Sequence, residues 1–81
     1  MITVKFFARI REELGTGELQ WPAVDSVQGL VAALAQKRGA GWSEVLLAPQ
    51  VIVAINQQIA ALDSALADGD EVAFFPPVTG G

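Results

Sequence analysis

The sequence predicts a small α+β domain, a mixed sheet with one main helix on one face and a projecting C-terminal tail. Three observations predict it. Period-two alternation opens the chain at Ile2, Val4 and Phe6, and a second strand-like run, Glu71-Val72-Ala73-Phe74-Phe75, lies near its end. Between them, Val27, Leu30, Val31 and Leu34 recur at helical spacing. Pro76-Pro77 must then end the last strand, which leaves the stretch from Pro76 to Gly81 as a tail.

The elements follow in order. Ile2, Val4 and Phe6 alternate with Thr3, Lys5 and Phe7, as in a half-buried strand. Ala8-Arg9-Ile10-Arg11-Glu12-Glu13-Leu14 changes period and halts at Gly15-Thr16-Gly17, a short helical turn closed by glycine. Glu18-Leu19-Gln20-Trp21 resumes alternation before Pro22, giving a second strand that pairs with the first. Asp25-Ser26-Val27-Gln28 offers a capping oxygen, with Gln28 three residues after Asp25. The main helix runs from there to Lys37-Arg38-Gly39, and its basic end sits where the helix dipole favours positive charge. Gly41-Trp42-Ser43-Glu44-Val45-Leu46-Leu47 is ambiguous, with a short helix as one reading. Val51-Ile52-Val53-Ala54-Ile55, Asn56-Gln57 and Gln58-Ile59-Ala60-Ala61 form a hairpin signature. Ala67-Asp68-Gly69-Asp70 is a polar turn. The order is strand, strand, helix, strand, short strand, strand. One helix crossing from a leading hairpin to later strands allows the first and last strands to lie side by side and parallel, the β-grasp arrangement of ubiquitin-like domains. Residues 1–75 form the domain and 76–81 the tail.

Composition narrows the function. A chain of 81 residues fits one domain, which buries roughly 60–65% of its unfolded surface. A hydrophobic fraction of 52% with 17% charged residues leaves apolar surface for a partner. The net charge of -4 and a pI near 4.4 exclude a nucleic-acid groove or an anionic membrane surface, both of which need clustered cations. No apolar run approaches the roughly 18 residues of a membrane span, and a cytoplasmic protein is expected. Without Cys, His or Tyr, the chain lacks thiol catalysis, the usual zinc sites and histidine acid–base chemistry. Asp68-Gly69-Asp70-Glu71 has none of the rest of a calcium loop, and Gly15-Thr16-Gly17 is too short to cradle a phosphate, so no metal or resident cofactor is expected. Arg9 and Arg11 fit a solvated surface, Trp21 and Trp42 the packing.

Phe7 and Phe75 are out of phase with the inward-facing Phe6 and Phe74. With Ile59 from the hairpin they form a candidate partner surface on the opposite face, if the first, last and hairpin strands are neighbours. The tail, Pro76-Pro77-Val78-Thr79-Gly80-Gly81, favours an extended path and reaches roughly 20 Å. Its two glycines can enter a channel too narrow for side chains. Terminal glycines alone also describe a frayed end; the Phe-Phe-Pro-Pro before them favours a working group.

Over Asp68-Gly69-Asp70-Glu71-Val72-Ala73-Phe74-Phe75-Pro76-Pro77-Val78-Thr79-Gly80-Gly81, and again at Phe6-Phe7-Ala8-Arg9, Arg11-Glu12-Glu13-Leu14-Gly15 and Val53-Ala54-Ile55-Asn56, the chain resembles the MoaD family, the sulfur-carrying small subunits of molybdopterin synthase. The resemblance implies a ubiquitin-like, non-catalytic sulfur donor in molybdenum cofactor biosynthesis. An ATP-using activating enzyme similar to MoeB is expected to attach AMP transiently to Gly81, and a persulfide donor to convert the terminus to a thiocarboxylate. A large subunit similar to MoaE is expected to receive Thr79, Gly80 and Gly81 in a pocket, contact Phe7, Ile59, Phe75, Pro76 and Pro77, and move the sulfur to cyclic pyranopterin monophosphate. Two small and two large subunits are expected. A ubiquitin-like modifier joined to lysines through Gly81 and a thiamin-type sulfur carrier are the alternatives.

Overall fold

In the computed structural model, which describes residues 1–77, the two strands predicted to be neighbours form the middle of a five-stranded sheet of order β2-β1-β5-β3-β4. The elements are β1 (Ile2–Phe6), α1 (Ala8–Leu14), β2 (Glu18–Trp21), α2 (Val27–Arg38), α3 (Ala40–Leu46), β3 (Ile52–Ile55), β4 (Gln58–Ala60) and β5 (Glu71–Phe75). β1 and β5 run parallel, with Val4 opposite Val72 and Phe6 opposite Phe74. The other three pairings are antiparallel. The α+β β-grasp class expected from the sequence is the observed one, and no helix among the described residues is long and apolar enough to cross a membrane.

The alternation in β1 and β5 sorts side chains by face. Ile2, Val4, Phe6, Val72 and Phe74 point to one side and are almost wholly excluded from solvent. Leu30, Val31 and Leu34 of α2 close over them with Ile10 of α1 and Leu46 of α3. Each such side chain gains about 1.5–3 kcal/mol by leaving water, the main favourable term in so small a core. Phe6 stacks near-parallel on Phe74 at 5.8 Å and meets Trp42 edge-on at 5.5 Å.

Three features differ from or complete the sequence reading. The Ala8–Leu14 turn is a full short helix, ended by Gly15 in the left-handed conformation (φ 64°). The ambiguous segment is also a helix, because Trp42 and Leu46, four residues apart, both reach the core and the Arg38 guanidinium lies 5.3 Å from the Trp42 ring centre. The cap of α2 is Ser26 rather than Asp25: its Oγ accepts the Gly29 N–H at 3.1 Å. The cause is the docked 62–66 segment. The Val27 and Gln28 N–H groups donate to the Ser64 and Leu62 carbonyls, and Asp25 accepts the Leu66 N–H through its own carbonyl. The N–H groups of Val27, Gln28 and Gly29, the first three helical residues, are thereby satisfied.

The β3–β4 hairpin turns at Asn56 (φ 51°) and Gln57 (φ 70°), the paired positive angles of a type I′ turn. Asn56 also ties the turn to β5. Its Oδ1 accepts the Glu71 N–H at 3.0 Å and its amide nitrogen donates to Asp70 at 3.0 Å. Asp70 accepts the Ala67 N–H as well, at 2.8 Å, around Gly69 (φ 91°). These contacts, first the Ala67 N–H and then the Asn56 amide, hold the Asp70 carboxyl below the ordinary carboxylate value of 3.8.

Two outcomes are expected. Ser26→Ala lowers the unfolding free energy by about 1 kcal/mol, whereas Asp25→Ala, which leaves the cap in place, costs less in the same urea titration. Because the folded Asp70 pKa is depressed, its stabilising contribution is complete above about pH 4 and disappears as pH falls through the folded value. The wild-type stability curve from pH 5 to 2 is therefore steeper than that of Asp70→Asn.

Candidate functional site

The face of the sheet opposite the helices is built from the other half of each alternation. Lys5, Ala73, Ala54 and Ile59 form one row across four neighbouring positions of β1, β5, β3 and β4. Phe75 lies opposite Ile52 in the next row of β5 and β3. Phe7 stands just beyond β1, at the N-cap of α1, and its ring stacks on Phe75 at 4.7 Å with 3° between planes. The sequence placed Phe7, Ile59 and Phe75 on one exposed surface, and all three line a single depression there of about 380 Å³.

The floor of that depression is made by small residues. Ala54 and Ala73 are only 5% and 6% exposed although no helix covers them, because larger side chains stand around them. Ile59 projects, 78% exposed, and Phe7 is 39% exposed. A concave apolar floor with apolar projections at its rim has the composition of an interface core. Lys5 Nζ and Glu71 Oε1 pair at 3.2 Å along the rim, and a half-exposed pair of this kind adds orientation more than stability. Sequence reasoning missed Ala54, Ala73, Lys5 and Glu71. The strand register was the signal: once β1 and β5 are parallel and β3 is placed beside β5, the outward positions of three strands fall in one row.

The tail leaves from the edge of this surface. Pro76 is half-buried and Pro77 exposed. Both line a second groove, of about 500 Å³, on the helical side, together with Arg9, Ile10, Glu44 and Val45. The chain therefore emerges between an apolar sheet face and a groove rimmed by charge. The expected insertion residues Thr79, Gly80 and Gly81 lie outside the described residues. Among the described residues no cluster of three or more acidic, His or Cys side chains could hold a metal ion, and Trp21 and Trp42 pack with the core.

The ThiS family model matches residues 4–81. A molybdopterin synthase sulfur carrier subunit of Escherichia coli is 41% identical over the full length of both chains. The solution structure of small archaeal modifier protein 1 from Methanosarcina acetivorans covers 99% of this chain and 95% of its own, with 28% identity and a TM-score of 0.82. The complex of subunits 1 and 2 of the molybdopterin-converting factor from Helicobacter pylori contains a chain similar over 99% of this one and 97% of its own, at 28% identity and a TM-score of 0.68. A β-grasp sheet with an exposed apolar face, a proline-marked exit and a Gly-Gly end is thus matched along its whole length, and the chain belongs to the ThiS family, alongside MoaD-type sulfur carrier subunits.

Proposed function

We propose that the chain is the sulfur-donating small subunit of a molybdopterin synthase, residues 1–75 forming the docking body and residues 76–81 the tail that carries sulfur. The observation that carries this reading is the full-length likeness to the Escherichia coli carrier subunit, joined to an apolar docking face at the root of a Gly-Gly tail. The chain supplies no catalytic side chain. Its reacting group is the Gly81 carboxylate, and the enzymes that handle it are partners.

A carboxylate resists nucleophiles, so activation comes first. A Gly81 oxygen attacks the α-phosphorus of ATP on a MoeB-type enzyme, pyrophosphate leaves, and the acyl adenylate now has AMP as a good leaving group. The terminal sulfur of a persulfide attacks the acyl carbon and AMP departs, leaving an acyl disulfide. A thiol of the donor system then takes the other sulfur as a disulfide and releases the thiocarboxylate. A chain without cysteine has no internal thiol to intercept the sulfur at this stage.

On a MoaE-type large subunit the thiocarboxylate sulfur bonds to a side-chain carbon of the pterin precursor as an oxygen substituent of that carbon leaves, giving a thioester; water then cleaves the acyl–sulfur bond, which leaves the sulfur on the pterin and returns Gly81 to a carboxylate. Each carrier delivers one sulfur, so the dithiolene consumes two. Phe7, Ile59 and Phe75 supply the apolar contact that holds the body while the glycines occupy the pocket. The similarity to a small archaeal modifier protein favours, as a second reading, transfer of the same acyl adenylate to a lysine amine.

Intact mass decides between them. Incubation with a MoeB-type enzyme, ATP and a persulfide donor is expected to replace one oxygen of the chain by sulfur, and deletion of Gly81 to abolish the change without lowering Tm. A covalent adduct on a lysine of another protein, with no sulfur gained, would overturn the carrier reading. Ile59→Asp is expected to leave the unfolding free energy within about 0.5 kcal/mol and to weaken binding to the large subunit by about tenfold or more in calorimetry.

A further inference from the structure

The start of α1 contains a backbone conformation unusual for its residue type. Ala8 has φ 51°, in the left-handed region, which costs a residue with a Cβ about 1–2 kcal/mol. The turn it makes takes the chain off the line of β1 directly after Phe7. Phe7 itself is tied on both sides. Its N–H donates to the Phe74 carbonyl at 3.2 Å, and its carbonyl accepts the Ile10 N–H at 3.1 Å and the Arg11 N–H at 3.4 Å. The ring is left lying flat on Phe75, with 3° between the planes, half in solvent and apart from the buried cluster.

Phe75 is the last residue paired in the sheet, and Pro76-Pro77 follow it at once. Proline fixes its own φ and holds the preceding residue extended, so the direction of the tail is set largely where Phe75 leaves the ladder. A change of angle at this root therefore redirects Pro76 and Pro77 together. A misplacement of even about 1 Å at a reacting group can cost up to about a hundredfold in rate.

We propose that Phe7, directed outward by the alternation of β1 and stacked on Phe75, is a positioning residue that fixes the direction in which Pro76-Pro77 present the C-terminal carboxylate to the activating enzyme. The role goes beyond an apolar contact with a partner and rests on the carrier reading for its kinetic consequence. Phe7 acts through Phe75 and never meets the reacting atoms.

The test uses the full chain as wild type, Phe7→Leu and Phe7→Tyr. Leucine keeps apolar bulk without a flat ring, and tyrosine keeps the ring. Residual dipolar couplings of the Pro76 and Pro77 Cα–Hα bonds are measured on the free chain, and single-turnover adenylation is measured with a MoeB-type enzyme and ATP over a range of carrier concentrations. In wild type and Phe7→Tyr the couplings are expected to fit the alignment of the sheet, and in Phe7→Leu to shrink towards zero. The maximal adenylation rate of Phe7→Leu is expected to fall about tenfold or more, with the half-saturating concentration changed less than about threefold, and Phe7→Tyr to restore it. Couplings in Phe7→Leu equal to those of wild type overturn the proposal. So does a raised half-saturating concentration with an unchanged maximal rate, the result expected of a mere contact. If the wild type accepts no AMP, the carrier reading fails, and the couplings alone decide whether Phe7 directs the tail.

Discussion

The parallel pairing of β1 with β5 is the constraint on which the other features depend. It joins the two ends of the sequence at the centre of the sheet, with Phe6 opposite Phe74 and the Thr3 N–H donating to the Asp70 carbonyl at 3.0 Å. Strands paired in parallel need a crossover between them, and here nearly the whole chain serves as that crossover. Because both strands run the same way, β5 ends beside the end of β1. The root of the tail therefore lies next to Phe7 and the start of α1, where a residue remote in sequence can act on it.

The same pairing gives the sheet two unlike faces. Inward positions carry Ile, Val and Phe and meet three helices; outward positions carry Lys5, Glu71, two alanines and the Phe7–Phe75 stack. A slip of one residue between β1 and β5 would exchange these sets and place Lys5 in the core. The aromatic residues in neighbouring positions, Phe6 with Phe7 and Phe74 with Phe75, thus lie on opposite faces, one of each pair packing into the core and the other standing on the face away from the helices.

Much of this was legible in the sequence. Alternation identified β1 and the inward role of Phe6 and Phe74, the spacing of Val27, Leu30, Val31 and Leu34 identified α2, and Asn56-Gln57 marked the hairpin. The outward direction of Phe7 and Phe75 followed from phase, and that Ile59 shares their face depended on the first, last and hairpin strands being neighbours. What was not legible depended on contacts distant in sequence. The cap at Ser26 is selected by the 62–66 segment docking against α2, and α3 is held by Trp42 meeting Phe6 across the core. The buried alanines Ala54 and Ala73 read as ordinary strand residues until the register sets larger neighbours around them. The positive φ of Ala8 has no signal in its residue type, since alanine is not chosen for that conformation.

The order of the strands has one more consequence, which concerns colloidal behaviour. A sheet that exposes an apolar face is in danger of stacking or growing edge to edge with copies of itself. Its two borders are β2, four residues long with Pro22 directly after it, and β4, only three residues long. Neither offers enough unpaired backbone to template another strand, and the long apolar strands β1 and β5 are enclosed on both sides. With a net charge of -4 adding mutual repulsion, an exposed apolar face and short, guarded sheet borders are compatible in one small molecule.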